Sequence, residues 1–439
     1  MASEHFSQLP PEMFTIIKSN ANSLGPRLGR LTLKGRNALD TPNYLGNTSR
    51  GAVPHITPDT MACDTSIFGV YVALEDFVER APYQTPPILR FNSGNGDSPL
   101  RRFTALPKDK SLVVGPRRTP PVVAPLASPN TNSSVSISTA VGFRTLRVKD
   151  YIESVEALCP DIVVGLGDIP HGRAFGTKRL GKATDRTIEW MQQHIALRHE
   201  RNFCSHFMAP LLPVDCAKQR FYLDVLGGEL RQSIDGLAIY DCESLDSLPE
   251  GLCQLSRLAL TDPGSPRRLL QEIASGIDIF IVPFISTATD AGIALDFSFP
   301  VKVRDPQEPL QLGINMWIPI HATDLSALSD GCQCYACTNH HRAYVQHLLV
   351  AKEMLGWVLL QIHNHHVMDA FFAGVRGSIR DNVFDADVSM FQKVYVDELP
   401  QKTGQGPRVR GYQIKSSGGD AKKNQPPFTM LGSDNDKAL

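Results

Sequence analysis

Three thiols stand within six residues, at Cys332, Cys334 and Cys337, in the run Gly-Cys-Gln-Cys-Tyr-Ala-Cys-Thr-Asn-His-His. A helical pattern follows and carries several imidazoles. Thiolate and imidazole are the ligands that Zn2+ prefers, and four protein ligands complete its tetrahedron. A tight Cys-x-Cys-x2-Cys loop closed by one helix-borne histidine therefore suits a structural zinc ion, one per chain, with no open position for substrate. The competing reading is three unconnected exposed thiols, which would be open to oxidation. His363 gives the spacing Cys-x-Cys-x2-Cys-x25-His and follows Leu359 and Leu360 on the inward helix face. On spacing alone His340, His341, His347, His365 and His366 compete with it.

Other residues could also do chemistry. Asp278, Asp290 and Asp296 are expected near the top of a barrel, where catalytic groups gather, but Asp278 falls inside a strand pattern and reads as framework. His171, Arg173, Lys178, Arg179 and Lys182 form a basic stretch after Asp168. It reads as a solvated loop or as a contact to nucleic-acid phosphates, which Lys and Arg neutralise without reading bases. Arg101-Arg102, Arg117-Arg118 and Lys422-Lys423 carry the same two readings.

These groups need a scaffold. The chain has 439 residues, 42% hydrophobic and 20% charged, which is the composition of a soluble globular protein. No apolar run reaches membrane-span length, and the first twenty residues lack the basic start and apolar core of a signal peptide. An intracellular protein is expected. Cys63, Cys159, Cys204, Cys216, Cys242 and Cys253 are scattered and read as single thiols rather than a disulfide framework. A net charge of −1 excludes nucleic-acid binding driven by overall charge.

From residue 135 onward, strand and helix patterns alternate. Asp161–Asp168, Phe203–Leu211, Ile234–Tyr240, Leu255–Leu260 and Ile277–Pro283 read as strands. Val148–Leu158, Thr184–Leu197, with Thr184 as cap, Gln219–Leu226 and Ser265–Gly276 read as helices. The alternation implies an α/β fold with parallel strands, and its unit count favours a (β/α)8 TIM-type barrel. No Gly-x-Gly-x-x-Gly or Walker loop supports a nucleotide fold. Phe68–Val72 is an earlier strand. Residues 1–92 are expected to form an N-terminal β-rich part of the barrel and 93–134 a disordered insertion rich in Pro, Ser and Asn. Residues 135–300 carry the barrel units, 301–395 the zinc-binding subdomain and closing helices, and 396–439 a disordered tail. The helical pattern over 341–375 is expected to break near Gly356.

The thiol loop, Asn339-His340, Arg342-Ala343-Tyr344, His347-Leu348-Leu349, Glu353-Met354-Leu355 and His363-Asn364 together resemble the zinc subdomain of the tRNA-guanine transglycosylases. Gly276-Ile277-Asp278-Ile279-Phe280 and Asp235-Gly236-Leu237-Ala238-Ile239 resemble two of that family's strands. Asp161–Val164 and Asp185-Arg186-Thr187 fit its middle region. The resemblance runs from about residue 15 to 395 and selects His363 as the fourth ligand. It implies an irregular (β/α)8 barrel with an inserted zinc subdomain. It also implies exchange of guanine at the tRNA wobble position for a modified base, which is queuine in eukaryotes.

That exchange needs a carboxylate nucleophile and a second carboxylate as acid/base. At the family's nucleophile position this chain has Ile281. The two tRNA-gripping arginines align with Thr287 and Asp290. The Asp-Ser-Gly-Gly-Phe-Gln motif has no copy, and its nearest match is the acid-free Ser138–Phe143. The Gly-Gly pair of the base pocket becomes Tyr240-Asp241, and the base-binding Asp falls at Gly167 beside Asp168. Loss of all these groups together resembles the family's accessory, non-catalytic subunits. The implied partner is then a catalytic paralogue in a heterodimer acting on tRNAs with GUN anticodons. The implied place is the cytoplasm or the mitochondrial outer surface, with tRNA touched directly or through the partner. The rival expectations are an active enzyme using a displaced acid such as Asp278, and a zinc scaffold unrelated to tRNA.

Overall fold

The structure, a computed structural model, describes residues 12–19, 24–79, 84–91, 94, 98–125, 128–172, 176–302 and 308–407. Arg173, Lys422 and Lys423 lie outside the described residues.

The chain opens with an antiparallel sheet of β1 (Phe14–Lys18), β2 (Leu28–Leu31) and β3 (Leu39–Thr41). Eight strands then close a parallel barrel: β4 (Asn43–Asn47), β5 (Gly69–Ala73), β6 (Ser111–Gly115), β9 (Ile162–Val164), β10 (His206–Pro210), β11 (Gly236–Ile239), β12 (Ser256–Ala259) and β13 (Ile279–Ile281). β13 pairs with β4, with Phe280 opposite Tyr44, and this pairing shuts the ring. A hairpin of β7 (Ser134–Thr139) and β8 (Gly142–Arg147) lies outside the barrel. β14 (Ile293–Leu295) and β15 (Gly313–Asn315) form a last antiparallel pair. The expected TIM-type barrel is present.

Alternation along the strands fills the lumen with Leu45, Val113, Ile162, Met208, Leu258, Ile279 and Ile281. The same buried cluster takes Met13, Phe14, Leu31 and Leu39 from the N-terminal sheet, which plugs the end of the barrel where strands begin. Arg27 fixes that plug. It donates to both carboxylate oxygens of Asp278, at 2.8 and 2.5 Å, and to the carbonyls of Cys253 and Leu255.

Three expectations are corrected. The stretch 93–134 is not a disordered insertion, because its centre is the fully buried barrel strand β6. Its flanking prolines and asparagines hid a strand whose apolar run is only Leu112-Val113-Val114. The tail is ordered past residue 396: the Asn315 side chain donates to the Gln401 carbonyl and the Thr403 hydroxyl, and Gly404 lies flat on the Trp317 ring, where a Cβ would come within 2.0 Å. Residues 408–439 lie outside the described residues. The long helix Thr177–Arg201 starts at Gly176 rather than at Thr184, which is buried inside it. The C-terminal helical stretch breaks near Gly356 as expected, between Arg342–Val350 and Met354–Arg380. Gly356 itself lets the two helices approach, since a Cβ there would stand 3.2 Å from Leu348.

The Met354–Arg380 helix runs for 27 residues and is buried along most of its length, including Trp357, Phe371 and Phe372. A helix apolar on nearly all faces must be enclosed. Burying each large ring contributes roughly 2–3 kcal/mol. The helix is the post to which the thiol loop and barrel are both fixed.

Candidate metal centre and barrel mouth

The thiol loop follows β15. Cys334 caps the short helix Tyr335–Asn339, its sulfur accepting the Cys337 N–H at 3.4 Å. A sulfur pinned at a helix start turns all three thiols inward. His363 meets them from the long helix. Its Nδ1 lies 3.7 Å from the Cys332 sulfur, 3.6 Å from Cys334 and 3.3 Å from Cys337. The four ligand atoms all fall within 4.8 Å of one another, so they could hold one metal ion. None of the competing histidines joins them. His365 is instead buried against Tyr44 and Gln361, and His340 stacks on Tyr344.

The far side of His363 shows that the ring is set for ligation. Nε2 donates to the Leu295 carbonyl at 2.9 Å, which leaves Nδ1 as the acceptor facing the thiols. Burial opposes a charge on His363, but the hydrogen bonds to Cys332 and Cys337 outweigh it and raise the ring to about 9, so ligation through Nδ1 would displace a proton. Hydrogen bonds from Cys332 and Cys334 push the Cys337 thiol far below its ordinary value. The donor set thus fits a thiophilic divalent ion. Sequence reasoning missed the adjacent anchor. Asn364 accepts from the Leu295 N–H at 2.8 Å and donates to the Thr289 hydroxyl and the Ile293 carbonyl at 2.9 and 3.0 Å. His363 and Asn364 together bind the helix to β14. The adjacency of two polar residues on an apolar helix was the available signal.

At the barrel mouth, where the strands end, the side chains tell a different story. Ile281 is the last residue of β13 and is wholly buried in the apolar lumen. Asp278 precedes β13, so it lies at the opposite, N-terminal end, beneath the barrel in the Arg27 ion pair. The expectation that it sits near the top is corrected. Asp290 accepts from His55 at 2.7 Å and Asp296 from Ser329 at 2.5 Å. Asp241, after β11, caps a short 3-10 turn through the Glu243 N–H.

Among the described acids near the mouth, arginines engage Glu75, Asp76 and Asp168 closely. Glu75 accepts from the Arg118 backbone and guanidinium and from the Ser138 N–H. Asp76 pairs with Arg118 at 2.9 Å. Asp168 takes two bonds from Arg179, at 2.6 and 2.5 Å, with Arg186 at 3.1 Å and Asn130 at 2.7 Å. Burial opposes ionisation of Asp168, yet these donors hold it below its ordinary value. Arg179 and Arg118, read from sequence as free basic groups, are therefore ion-paired. So is Arg101, which is buried on Asp161 and two carbonyls. No described helix is long and apolar enough to cross a membrane.

Comparison with known proteins bears on both regions at once. Residues 22–397 match the family model described as queuine tRNA-ribosyltransferase. The queuine tRNA-ribosyltransferase accessory subunit 2 of Schizosaccharomyces pombe is 35% identical, over 96% of this chain and 93% of its own. Proteins of that name from Ixodes scapularis and Xenopus tropicalis are 29% and 26% identical, over 81% and 84% of this chain and 92% and 97% of theirs. The match covers the closed barrel, the thiol–imidazole cluster and the helix joining them, and by it the chain belongs to the queuine tRNA-ribosyltransferase family.

Proposed function

We propose that this chain is the non-catalytic subunit of a heterodimeric queuine tRNA-ribosyltransferase. It supports exchange of guanine for queuine at the wobble position of tRNAs with GUN anticodons. The observation that carries the reading is Ile281. An apolar side chain ends β13 where the family resemblance expects a nucleophile, and the nearby acids are neutralised by arginine. A carboxylate locked in a bidentate pair cannot attack a ribose carbon or take up a proton without breaking that pair. The names of the relatives support the same reading.

Cys332, Cys334, Cys337 and His363 hold one Zn2+, which supplies a closed tetrahedral crosslink and no reactive position. Leu295 orients the imidazole, and Asn364 fixes the helix that carries it. The pairing surface lies on the same subdomain. Ile320 and Leu325 are 74% and 76% exposed there, with Ile318, Val350, Met354 and Leu355 also open. Apolar side chains gathered in this way mark a protein-binding face. The catalytic paralogue is the proposed occupant, and the complex works in the cytoplasm.

The test is a base-exchange assay with labelled guanine in tRNA, run with this chain alone, the paralogue alone and the mixture. Activity only in the mixture, above that of the paralogue, is expected. Activity from this chain alone overturns the reading, and absence of any complex with the paralogue overturns the partner assignment.

A further inference from the structure

Two cavities that share lining residues open at the barrel mouth. The inner one, of about 20 Å3, has room for little more than a water and lies over the strand ends between Tyr71, Tyr240 and His171. The outer one, of about 200 Å3, reaches toward Arg179 and Asn130. Arg117, Ile169 and His171 line both, so Arg117 stands at the junction.

Charge at this junction does not balance. Three carboxylates meet four guanidiniums: Glu75, Asp76 and Asp168 against Arg117, Arg118, Arg179 and Arg186. The carboxylates are taken by Arg118, Arg179 and Arg186. Arg117 feels Glu75 and Asp168 only at longer range, and burial pushes its guanidinium below its ordinary value. Among the described residues its side chain has no hydrogen-bond or ion-pair partner, whereas its own carbonyl accepts from Tyr71 at 2.6 Å. That bond fixes the backbone, and among the described residues no contact directs the guanidinium. His171 adds no competing charge. Burial and Arg117 bring it down to about 3, so it is a neutral ring packed edge-on to Tyr240.

Arg117 is half-buried, so its guanidinium is partly desolvated yet still reached from the cavity, and a guanidinium fork matches the oxygens of a phosphate. The geometry points to an oxyanion site at the barrel mouth, in which Arg117 receives the phosphate group of a ligand entering through the outer cavity. Pro125, Pro129, Ile169 and Pro170 of the outer cavity give this phosphate largely apolar surroundings, which strengthen a charge-assisted bond. The phosphate can be inorganic, can belong to a mononucleotide, or can belong to an RNA strand. This site needs neither the partner subunit nor base exchange.

The full chain is melted in sodium chloride and in sodium phosphate at equal ionic strength, as wild type and as Arg117→Met. Phosphate should raise the wild-type melting temperature and leave that of Arg117→Met unchanged. In chloride the variant should melt at or above wild type, because the half-buried guanidinium it removes makes no hydrogen bond or ion pair among the described residues. An equal phosphate effect in both proteins, or a lower melt for the variant in chloride, overturns the site. A second measurement needs no variant. Phenylglyoxal labelling of Arg117, read by peptide mass spectrometry, should slow at least fivefold in phosphate, and unchanged labelling also overturns it. Calorimetry with guanosine 5′-monophosphate, guanosine and a single-stranded pentaribonucleotide separates the sources. At least tenfold preference for the nucleotide over guanosine is expected for a mononucleotide site, and the same preference for the pentamer for a strand site. Equal binding of nucleotide and guanosine overturns the role of the oxyanion.

Discussion

The thiol–imidazole cluster and the barrel mouth treat their polar groups in opposite ways. In the cluster, four donors converge on one point, and the outer nitrogen of His363 is already committed to Leu295. What remains is an inward-facing set that only an ion can complete. At the mouth, acids meet arginines pair by pair, and the strand end that could carry a nucleophile carries Ile281. One region is arranged for a ligand and the other is largely closed on itself. The two regions draw on different elements, so the donor set of the cluster can persist whatever side chains the barrel mouth carries.

The largest effect should come from the cluster. Cys334→Ala removes a buried ligand that also caps a helix. Structural zinc binding is coupled to folding, so the loss is expected to be on the order of 5 kcal/mol. Bound zinc should fall with it, and pairing with the paralogue should weaken. Metal analysis and a thermal melt check this. An unchanged melt with full zinc content would remove the cluster from the comparison.

Ile281→Asp attacks the other side. It restores a carboxylate at the strand end but places it in an apolar lumen with no paired cation. The expected cost is about 3–5 kcal/mol at neutral pH, with no gain in base exchange. Burial would raise this carboxyl, so the cost should shrink as pH falls and the group becomes neutral. A variant that folds like wild type and exchanges guanine would show that the mouth is one substitution from catalysis.

Asn364→Ala separates ligation from anchoring. It strips partners from the Leu295 N–H, the Ile293 carbonyl and the Thr289 hydroxyl, while His363 keeps its place beside the thiols. Leaving buried groups unpaired costs roughly 2–4 kcal/mol here. The folded variant should still bind one zinc ion, measured by metal analysis after gel filtration. Loss of zinc from a variant that remains folded would move Asn364 from the anchor to the metal site.

How much of this was legible follows the same division. The thiol spacing and His363 could be read because ligands must lie close in sequence or at a fixed reach, and the family resemblance chose among the histidines. Barrel strands after residue 160 were readable as apolar runs between helices. β6 was not, because three apolar residues among prolines look like a linker until seven other strands demand an eighth. β4, Asn43–Asn47, is bounded by asparagines at both ends and gives no periodic signal. The pairing of Arg179 with Asp168 was also hidden: the two are eleven residues apart, and only the turn after β9 brings them together. Asp278 was placed at the wrong end because a strand pattern marks its residues without stating where the pairing begins.

The smallest effect should come from a carboxylate at the mouth that no arginine neutralises fully. Glu272, on the Pro266–Ala274 helix, is 3% exposed and accepts from the Thr261 hydroxyl at 2.8 Å, just beyond β12. Arg268 approaches only to 3.6 Å and is itself open to solvent. Burial dominates and raises Glu272 from 4.5 to about 7, against the lowering effects of Thr261 and Arg268. The folded state thus binds this proton more tightly than the unfolded chain. Its contribution is fully present below pH 4.5 and is lost as pH rises through 7. Glu272→Gln keeps an acceptor for Thr261 without the charge. The variant should flatten the pH dependence of stability across that window and gain roughly 2 kcal/mol at pH 8, by denaturant unfolding at a series of pH values. A variant whose pH profile overlays wild type would mean that Glu272 is as well neutralised as Asp168, and the mouth would then be closed on itself everywhere except at Arg117.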